Sequence, residues 1–308
     1  MVVGSLNNDL VITLDSFPNE GETVLGKTLN QLPGGKGLNQ AVAARRAGGT
    51  VALIGAVGDD SFGINLKNVV SSEKILDHVE VIPNESSGAA IIEVDNTASN
   101  RIVVIGGAND QLDADTIENH MRAIAETNSI GVVLVQSEIP LDSIQRALEV
   151  GQSIGATTIL NPAPIRQFTP EIFKNTDYLI PNEHEARALI TSSSVQQDPL
   201  TSMLDCVDAA NAIIDFGIEN VIVTRGEKGA VWATATGSGQ ASAFRIVPVD
   251  TVAAGDAFCG VFANAINEGL SLAEALRWAS AAGAITATQP GAVASIPQRQ
   301  DIELLLGG

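Results

Sequence analysis

Five short apolar runs recur along the chain without the in–out alternation of a half-exposed strand: VALIGAV (51–57), IGVVLVQ (130–136), TTIL (157–160), DYLI (177–180) and NVIVT (220–224). A strand that shows water neither face must be covered on both, and helices are the usual cover. Stretches with helical character lie among them, at 38–47, 113–126, 141–153, 183–190 and 203–216. Short strands alternating with helical segments of about 10–15 residues define βαβ units and a parallel sheet. The expected fold is α/β and doubly wound, with a mainly parallel sheet flanked by helices.

Two regions break this rhythm. Residues 9–31 hold two strand candidates around a Pro/Gly turn, and residues 86–105 hold two more around Asp95-Asn96. They read as hairpins inserted into the α/β frame, which would form a small separate sheet if they pair. The segment 256–288 is nearly all Ala-rich helix.

Composition limits what such a chain can bind. With 17 Lys and Arg against 36 Asp and Glu, the net charge is −19, and no basic cluster exceeds Arg45-Arg46. Nucleic acid and anionic membranes are therefore poor partners. An anionic ligand would have to be held by backbone N–H groups, a few placed cations, or metal. No apolar run approaches the ~18 residues of a membrane span, and the start of the chain carries no secretory pattern. Cys206 and Cys259 have no CxxC partner and suit a reducing, cytoplasmic location. His78, His120 and His184 are not at zinc-ligand spacing.

Several stretches carry candidate chemistry, each with a plainer structural alternative. In DTVAAGDAFCG (250–260), small residues precede a buried helix and Asp256 stands at its mouth. Amides at a helix start can hold an anion while an adjacent acid takes a proton, the division of labour that phosphoryl transfer needs; the alternative is an Asp N-cap. GGKGLNQA (34–41) is not a Walker A loop, because that motif's first Gly falls on Asn30 and its Ser/Thr on Gly37; Gln40 also breaks GxGxxG. It remains a Gly-rich turn opening a helix, with Lys36 and Asn39 suited to sugar hydroxyls, or else a glycine hinge.

In GSLNNDL (4–10), Asn7 and Asp9 follow a first strand, where α/β sheets bind ligands and where turns also favour these residues. In NEHE (182–185), Asn182 and Glu185 stand at i and i+3. They could order Mg²⁺-bound water or form a capping box. TRGEKGAVW (224–232) is strand, Gly turn, strand, either a plain hairpin or a place for a nucleotide to lie against backbone.

Taken in order, these stretches resemble the ribokinase, or PfkB, family of sugar kinases over essentially the whole chain. PGGKGLNQAVAARRAG and DTVAAGDAFCGVF resemble that family's paired signatures, and NPAP (161–164) and PNEHE match between them. GSLNND, GGAN (106–109) and GAVASIP (291–297) are closest to its ribose-phosphorylating branch. The resemblance implies one kinase domain over 1–308, with an α/β core over about 1–8, 32–85 and 106–308 and a β lid over about 9–31 and 86–105. It also implies ATP-dependent phosphorylation of ribose at O5.

The residue roles follow from the same resemblance. Asp256 would be the catalytic base as well as the helix cap, with the amides of Ala253, Ala254, Gly255 and Asp256 as the anion hole. Asn7, Asp9, Gly35, Lys36, Asn39 and Glu138 would hold the sugar. Asn182, Thr224, Arg225, Gly226, Glu227, Lys228, Gly229, Gly255 and Ser280 would line the ATP site, and Asn182 with Glu185 would organise Mg²⁺ through water. A monovalent cation, K⁺, would be held by Asp250, Val252, Thr286, Gln289, Gly291 and Ser295. A homodimer through the lid is implied. The alternatives are another kinase of the same family, for fructose, 2-keto-3-deoxygluconate or adenosine, or a catalytically silent sugar-binding protein. The low aromatic content speaks against a stacked nucleobase as acceptor.

Overall fold

The computed structural model describes residues 1–97, 99–191 and 203–307. Residue 98, inside the expected second hairpin, and residues 192–202 and 308, inside the expected core, lie outside the described residues. The strands are β1 (Val2–Val3), β2 (Asn7–Thr13), β3 (Thr28–Gly34), β4 (Ala52–Gly58), β5 (Leu76–Ile82), β6 (Gly88–Val94), β7 (Asn100–Ile105), β8 (Val132–Gln136), β9 (Thr157–Asn161), β10 (Tyr178–Leu179), β11 (Asn220–Thr224), β12 (Ala230–Thr234) and β13 (Gly237–Ala241). The helices are α1 (Lys36–Arg46), α2 (Ser61–Ser72), α3 (Ala114–Thr127), α4 (Leu141–Ser153), α5 (Pro170–Lys174), α6 (Glu183–Thr191), α7 (Met203–Ile214), α8 (Ala254–Asn267), α9 (Leu272–Thr286) and α10 (Arg299–Gly307).

Among the described residues, the main sheet has nine strands in the order β13-β12-β11-β10-β9-β8-β1-β4-β5. It is parallel from β11 to β5, and β12 and β13 add an antiparallel edge. Its two faces carry separate cores. Leu53, Leu134, Ile159 and Ile222 pack under α1, α2, α8, α9 and α10. Their neighbours Ile54, Val133, Val135, Leu160 and Val221 pack under α3 to α7. Successive strand residues thus face opposite helical layers, which is why the apolar runs show no alternation. The chain winds outward from β1 through β4 and β5, and in the other direction from β8 through β9 to β11. The order therefore switches between β1 and β8, the place where open α/β sheets bind ligands beyond their carboxyl ends.

The two hairpins form a second sheet in the order β3-β2-β6-β7. Each hairpin is antiparallel, and parallel pairing of β2 with β6 joins them. Asn7 pairs with Gly34 at the base, so these strands reach inward beyond residues 9–31 and carry Asn7 into the lid. The chain crosses there directly from β1 into the lid, which accounts for a first strand shorter than VVGSL suggests.

The helical layer over the site depends on close contact between α1 and α8. A Cβ on Gly260 would lie 2.3 Å from the Gln40 carbonyl and 2.6 Å from the Ala43 Cβ. Gly260→Val should therefore push the two helices apart and destabilise the fold by about 1–3 kcal/mol, read as a lower urea midpoint at unchanged m. An unchanged midpoint would show that the helices are free to separate.

Candidate active site

The site is assembled where β1 and β8 end. Glu138 Oε2 accepts hydrogen bonds from Ser5 Oγ at 2.5 Å, the Lys36 amide at 3.1 Å and Asn7 Nδ2 at 3.3 Å. Asn109 completes this corner. Its Nδ2 donates to the Leu6 carbonyl at 3.1 Å and to Asn7 Oδ1 at 2.9 Å, and its Oδ1 accepts from the Leu6 amide at 3.0 Å. The core, the lid strand β2 and the start of α1 are thereby tied through one carboxylate and two carboxamides. Gly35 precedes α1 with φ 91°, and a Cβ there would sit 2.6 Å from the Asn7 amide nitrogen. Only glycine fits both the conformation and the space.

Asp256 lies across from this corner at 7% exposure. Its Oδ2 accepts from Asn39 Nδ2 at 3.0 Å and its Oδ1 from Gln40 Nε2 at 2.9 Å. Lys36 Nζ stands 4.0 Å from Oδ1. The adjacent Asp256 carboxylate is the main reason the Lys36 ammonium is held above its ordinary pKa, against the opposing effect of burial.

Two expectations are corrected here. Asp256 does not cap α8: the N-cap is Ala253, in the left-handed region at φ 60°, and no side chain caps the helix. Asp256 sits inside the first turn, with its carboxylate directed at α1. The Ala254 amide is not part of a free amide ring, because it donates to the Thr251 carbonyl at 3.2 Å. The amides of Ala253, Gly255 and Asp256 remain for an anion, at the positive end of the helix dipole. A Cβ at Gly255 would meet no atom within 4 Å, so packing does not demand glycine there. The open space over these amides suits a bulky anion.

Asp9, on β2, brings the lid into the same field. Burial first, then the charges of Glu138 and Asp256, raise its pKa from the usual carboxylate range to about 7. Asn39, expected to face sugar, gives its Nδ2 to Asp256, while its buried Oδ1 has no protein partner. Asn182 and Glu185 form a reciprocal capping box, with each backbone amide donating to the other's side chain at 2.8 Å. Burial raises the Glu185 pKa; the Lys36 charge lowers it and the Asp256 charge raises it.

Thr224 bridges to Asn182 at the end of β11, and Gly226–Lys228 forms a 3₁₀ turn before Gly229. The Arg225 side chain is buried against Glu183 at 3.2 Å, while its amide donates to the Gly229 carbonyl and its carbonyl accepts from the Lys228 amide, closing the turn. Ser280 is buried and its Oγ has no protein partner.

The expected cation ligands lie on two loops that Asp250 joins. Its Oδ1 accepts from the Val252 amide at 3.0 Å and its Oδ2 from the Gly291 amide at 2.9 Å. The Ala287 carbonyl accepts from both Val249 and Asp250. Next to it, Thr286 Oγ1 is buried without a protein partner, while the Thr286 carbonyl accepts from Gln289. Ser295 Oγ donates to the Ala292 carbonyl at 2.8 Å. The Asp250 carboxylate and the buried, unpartnered Thr286 hydroxyl are oxygen donors of the kind a hard cation takes. Among the described residues, no group of three or more His, Cys, Asp or Glu side chains could hold a metal.

The sequence reading missed Ser5, Gln40, Asn109, Gln136 and Asn161. Their signal was present: Gln136 and Asn161 are polar residues closing apolar strand runs, and Gln40 lies on the buried face of α1. A polar side chain at such a place needs a partner.

A doubly wound sheet with a β lid, and a carboxylate beside open amides at a helix start, define an α/β enzyme equipped to move a charged group. The model of the pfkB family of carbohydrate kinases matches residues 1–299, and the chain belongs to that family. It is 37% identical to a ribokinase of Schizosaccharomyces pombe, covering 98% of this chain and 96% of the relative. It is 35% identical to a deoxyribokinase of Salmonella typhi, covering 96% and 94%. Among solved structures, a ribokinase of Thermotoga maritima superposes with TM-score 0.89 at 34% identity, covering 100% and 98%. The Arabidopsis thaliana ribokinase complexed with ribose and ATP superposes with TM-score 0.86 at 30% identity, covering 100% and 98%.

The raised pKa of Asp9 has a measurable consequence. The folded protein keeps this proton up to pH of about 7, whereas the unfolded chain releases it above about 4. Stability should therefore fall as pH rises through that window and level off above it. Asp9→Asn lacks this loss and should gain stability relative to wild type, on the order of 4 kcal/mol, between pH 4 and pH 8. A difference that does not change with pH in urea titrations would contradict this environment for Asp9.

Proposed function

We propose that this protein transfers the γ-phosphoryl group of ATP to O5 of ribose, giving ribose 5-phosphate and ADP. The observation that carries this reading is the placement of Asp256: a buried carboxylate oriented by Asn39 and Gln40, next to unpaired amides at a helix start. In the reaction, Asp256 accepts the hydroxyl proton as the O5–Pγ bond forms and the bond from Pγ to the β-bridging oxygen breaks. The amides of Ala253, Gly255 and Asp256, with Lys36, receive the negative charge on the phosphoryl oxygens. Asp9, Asn7 and the free oxygen of Asn39 orient the sugar hydroxyls. Asn182, the Thr224–Gly229 turn and Ser280 hold the nucleotide. The lid keeps water from competing for the phosphoryl group.

Mg²⁺ would accompany the nucleotide, neutralising phosphate charge, with Asn182 and Glu185 acting through its waters. K⁺ would be held by Asp250 and the neighbouring oxygens and would place a fixed positive charge behind the amides. The lid leaves Leu29, Ile102, Val103, Val104 and Ile105 exposed, which supports pairing of two copies through this sheet. The free, buried Cys206 and Cys259 support a reducing, cytoplasmic setting.

The deoxyribokinase relative makes 2-deoxyribose the competing acceptor. Asp9 favours ribose, since one carboxylate can accept from two neighbouring hydroxyls. The aromatic residues Tyr178, Phe258 and Phe262 pack on one another in the core, which argues against a nucleoside acceptor.

Asp256→Asn should lower kcat by at least ~10²-fold while ribose binding by calorimetry persists. Assayed with ATP, Mg²⁺ and K⁺, ribose should exceed 2-deoxyribose, fructose, 2-keto-3-deoxygluconate and adenosine in kcat/KM. Near-normal turnover by the variant would remove Asp256 as the base, and preference for another acceptor would remove ribose.

A further inference from the structure

Gln40 is fully buried and belongs to none of the binding roles above. Its Nε2 gives away both hydrogens, to Asp256 Oδ1 at 2.9 Å and to Asn161 Oδ1 at 3.1 Å. Its Oε1 accepts from Gln136 Nε2 at 2.7 Å. The shape of a carboxamide does not fix which end is oxygen; its partners do. Here the partners end on a group of one polarity. Asn161 Nδ2 donates to the Ile180 carbonyl at 2.8 Å, which can only accept, so Asn161 must turn its oxygen to Gln40.

On the other side, Gln136 donates through Nε2 to Gln40 Oε1. Its Oε1 has no protein partner and lies against the Gly4 backbone, close enough that a Cβ on Gly4 would fall 1.8 Å from it. A reversed Gln40 would set its oxygen against those of Asn161 and Asp256, and its NH₂ against that of Gln136. Four carboxamide and carboxylate groups, from the ends of β8 and β9 and the starts of α1 and α8, thus admit one arrangement.

We infer that Gln40, fixed in one orientation by Gln136 and Asn161, is a positioning residue that aims the Asp256 carboxylate at the acceptor hydroxyl. This rests on the reading of Asp256 as the base. Gln40 is the hydrogen-bond partner of Oδ1, since Lys36 Nζ at 4.0 Å is beyond hydrogen-bond reach. With Oδ1 held by Gln40 and Oδ2 by Asn39, rotation of the carboxylate is fixed at both oxygens, and each keeps a lone-pair direction for a substrate proton. A small error in that direction is enough to slow the transfer.

Gln136→Met removes the donor that orients Gln40 while conserving much of the side-chain volume, two steps away from the reacting atoms. It should lower kcat at least ~10-fold, with KM for ribose and for ATP each within about threefold of wild type. Gln40→Met should do at least as much, and the double variant should be no worse than Gln40→Met alone, because both act by one route. Placed in the Asp256→Asn background, Gln136→Met should cost less than about threefold, since no base remains to be aimed.

A folded Gln136→Met with kcat within threefold of wild type would overturn the inference. So would a loss confined to KM, or an equal loss in the Asp256→Asn background. If Gln40→Met does not fold, Gln136→Met alone decides. Near-normal turnover by Asp256→Asn would remove the base and this inference together. A weak Asp256→Asn with an unaffected Gln136→Met would remove the inference and leave the base.

Discussion

Asp256 is held at 7% exposure by three groups of α1: the Asn39 and Gln40 amides, and the Lys36 ammonium 4.0 Å away. An ionised carboxylate that far from water would cost several kcal/mol if left unpaired. The contact between α1 and α8 makes it tenable, and that contact needs the bare Gly260 surface against the Gln40 backbone. The site is therefore a property of how two helices pack. Ala253, in a left-handed conformation that costs an L-residue roughly 1–2 kcal/mol, opens α8 so that its first amides point outward.

The same constraint explains how so acidic a chain handles phosphate. Asp9, Glu138 and Asp256 converge around one lysine, and burial first, then the charges of the other two carboxylates, raises the pKa of Asp9. Glu138 takes three donors on a single oxygen, one of them the Lys36 backbone. Positive character comes mainly from amides at a helix start and from Lys36. The loops joined by Asp250 lie directly before α8 and after α9, so a cation held there would add charge where the helix dipole already points. The lid strand β2 supplies Asn7 and Asp9, so the second sheet contributes side chains to the site beside Glu138 and Asp256.

Much of this was legible in the sequence. The five unalternating apolar runs gave the parallel sheet because both of its faces are covered, and the two polar-turned insertions gave the lid. Less legible were α2 and β5, since SFGINLKNVVSS mixes small polar residues into a helix and LDHVEVI is a half-exposed edge strand. GSGQA at β13 has almost no strand propensity and takes its place only through pairing with β12.

At the site, the motif residues Lys36, Asn39 and Asp256 were readable as a set, but their mutual contacts were not. An Asp after small residues looks like a cap, and only the packing of α8 on α1 turns its carboxylate toward Asn39 and Gln40. The turn sequence around Arg225 does not show that Glu183, at the start of α6 and 42 positions earlier, takes its side chain. Gln40, Gln136 and Asn161 lie 96 to 121 positions apart along the chain where they bond, so local sequence could not join them.

The most direct test is a crystal structure of the protein with ribose and a non-hydrolysable ATP analogue, in Mg²⁺ and K⁺. The expected result places ribose O5 within about 3.2 Å of an Asp256 oxygen and in line with the γ-phosphoryl group, whose oxygens rest on the amides of Ala253, Gly255 and Asp256. Sugar and nucleotide bound away from the start of α8, with Asp256 still closed in by Asn39 and Gln40, would contradict the account.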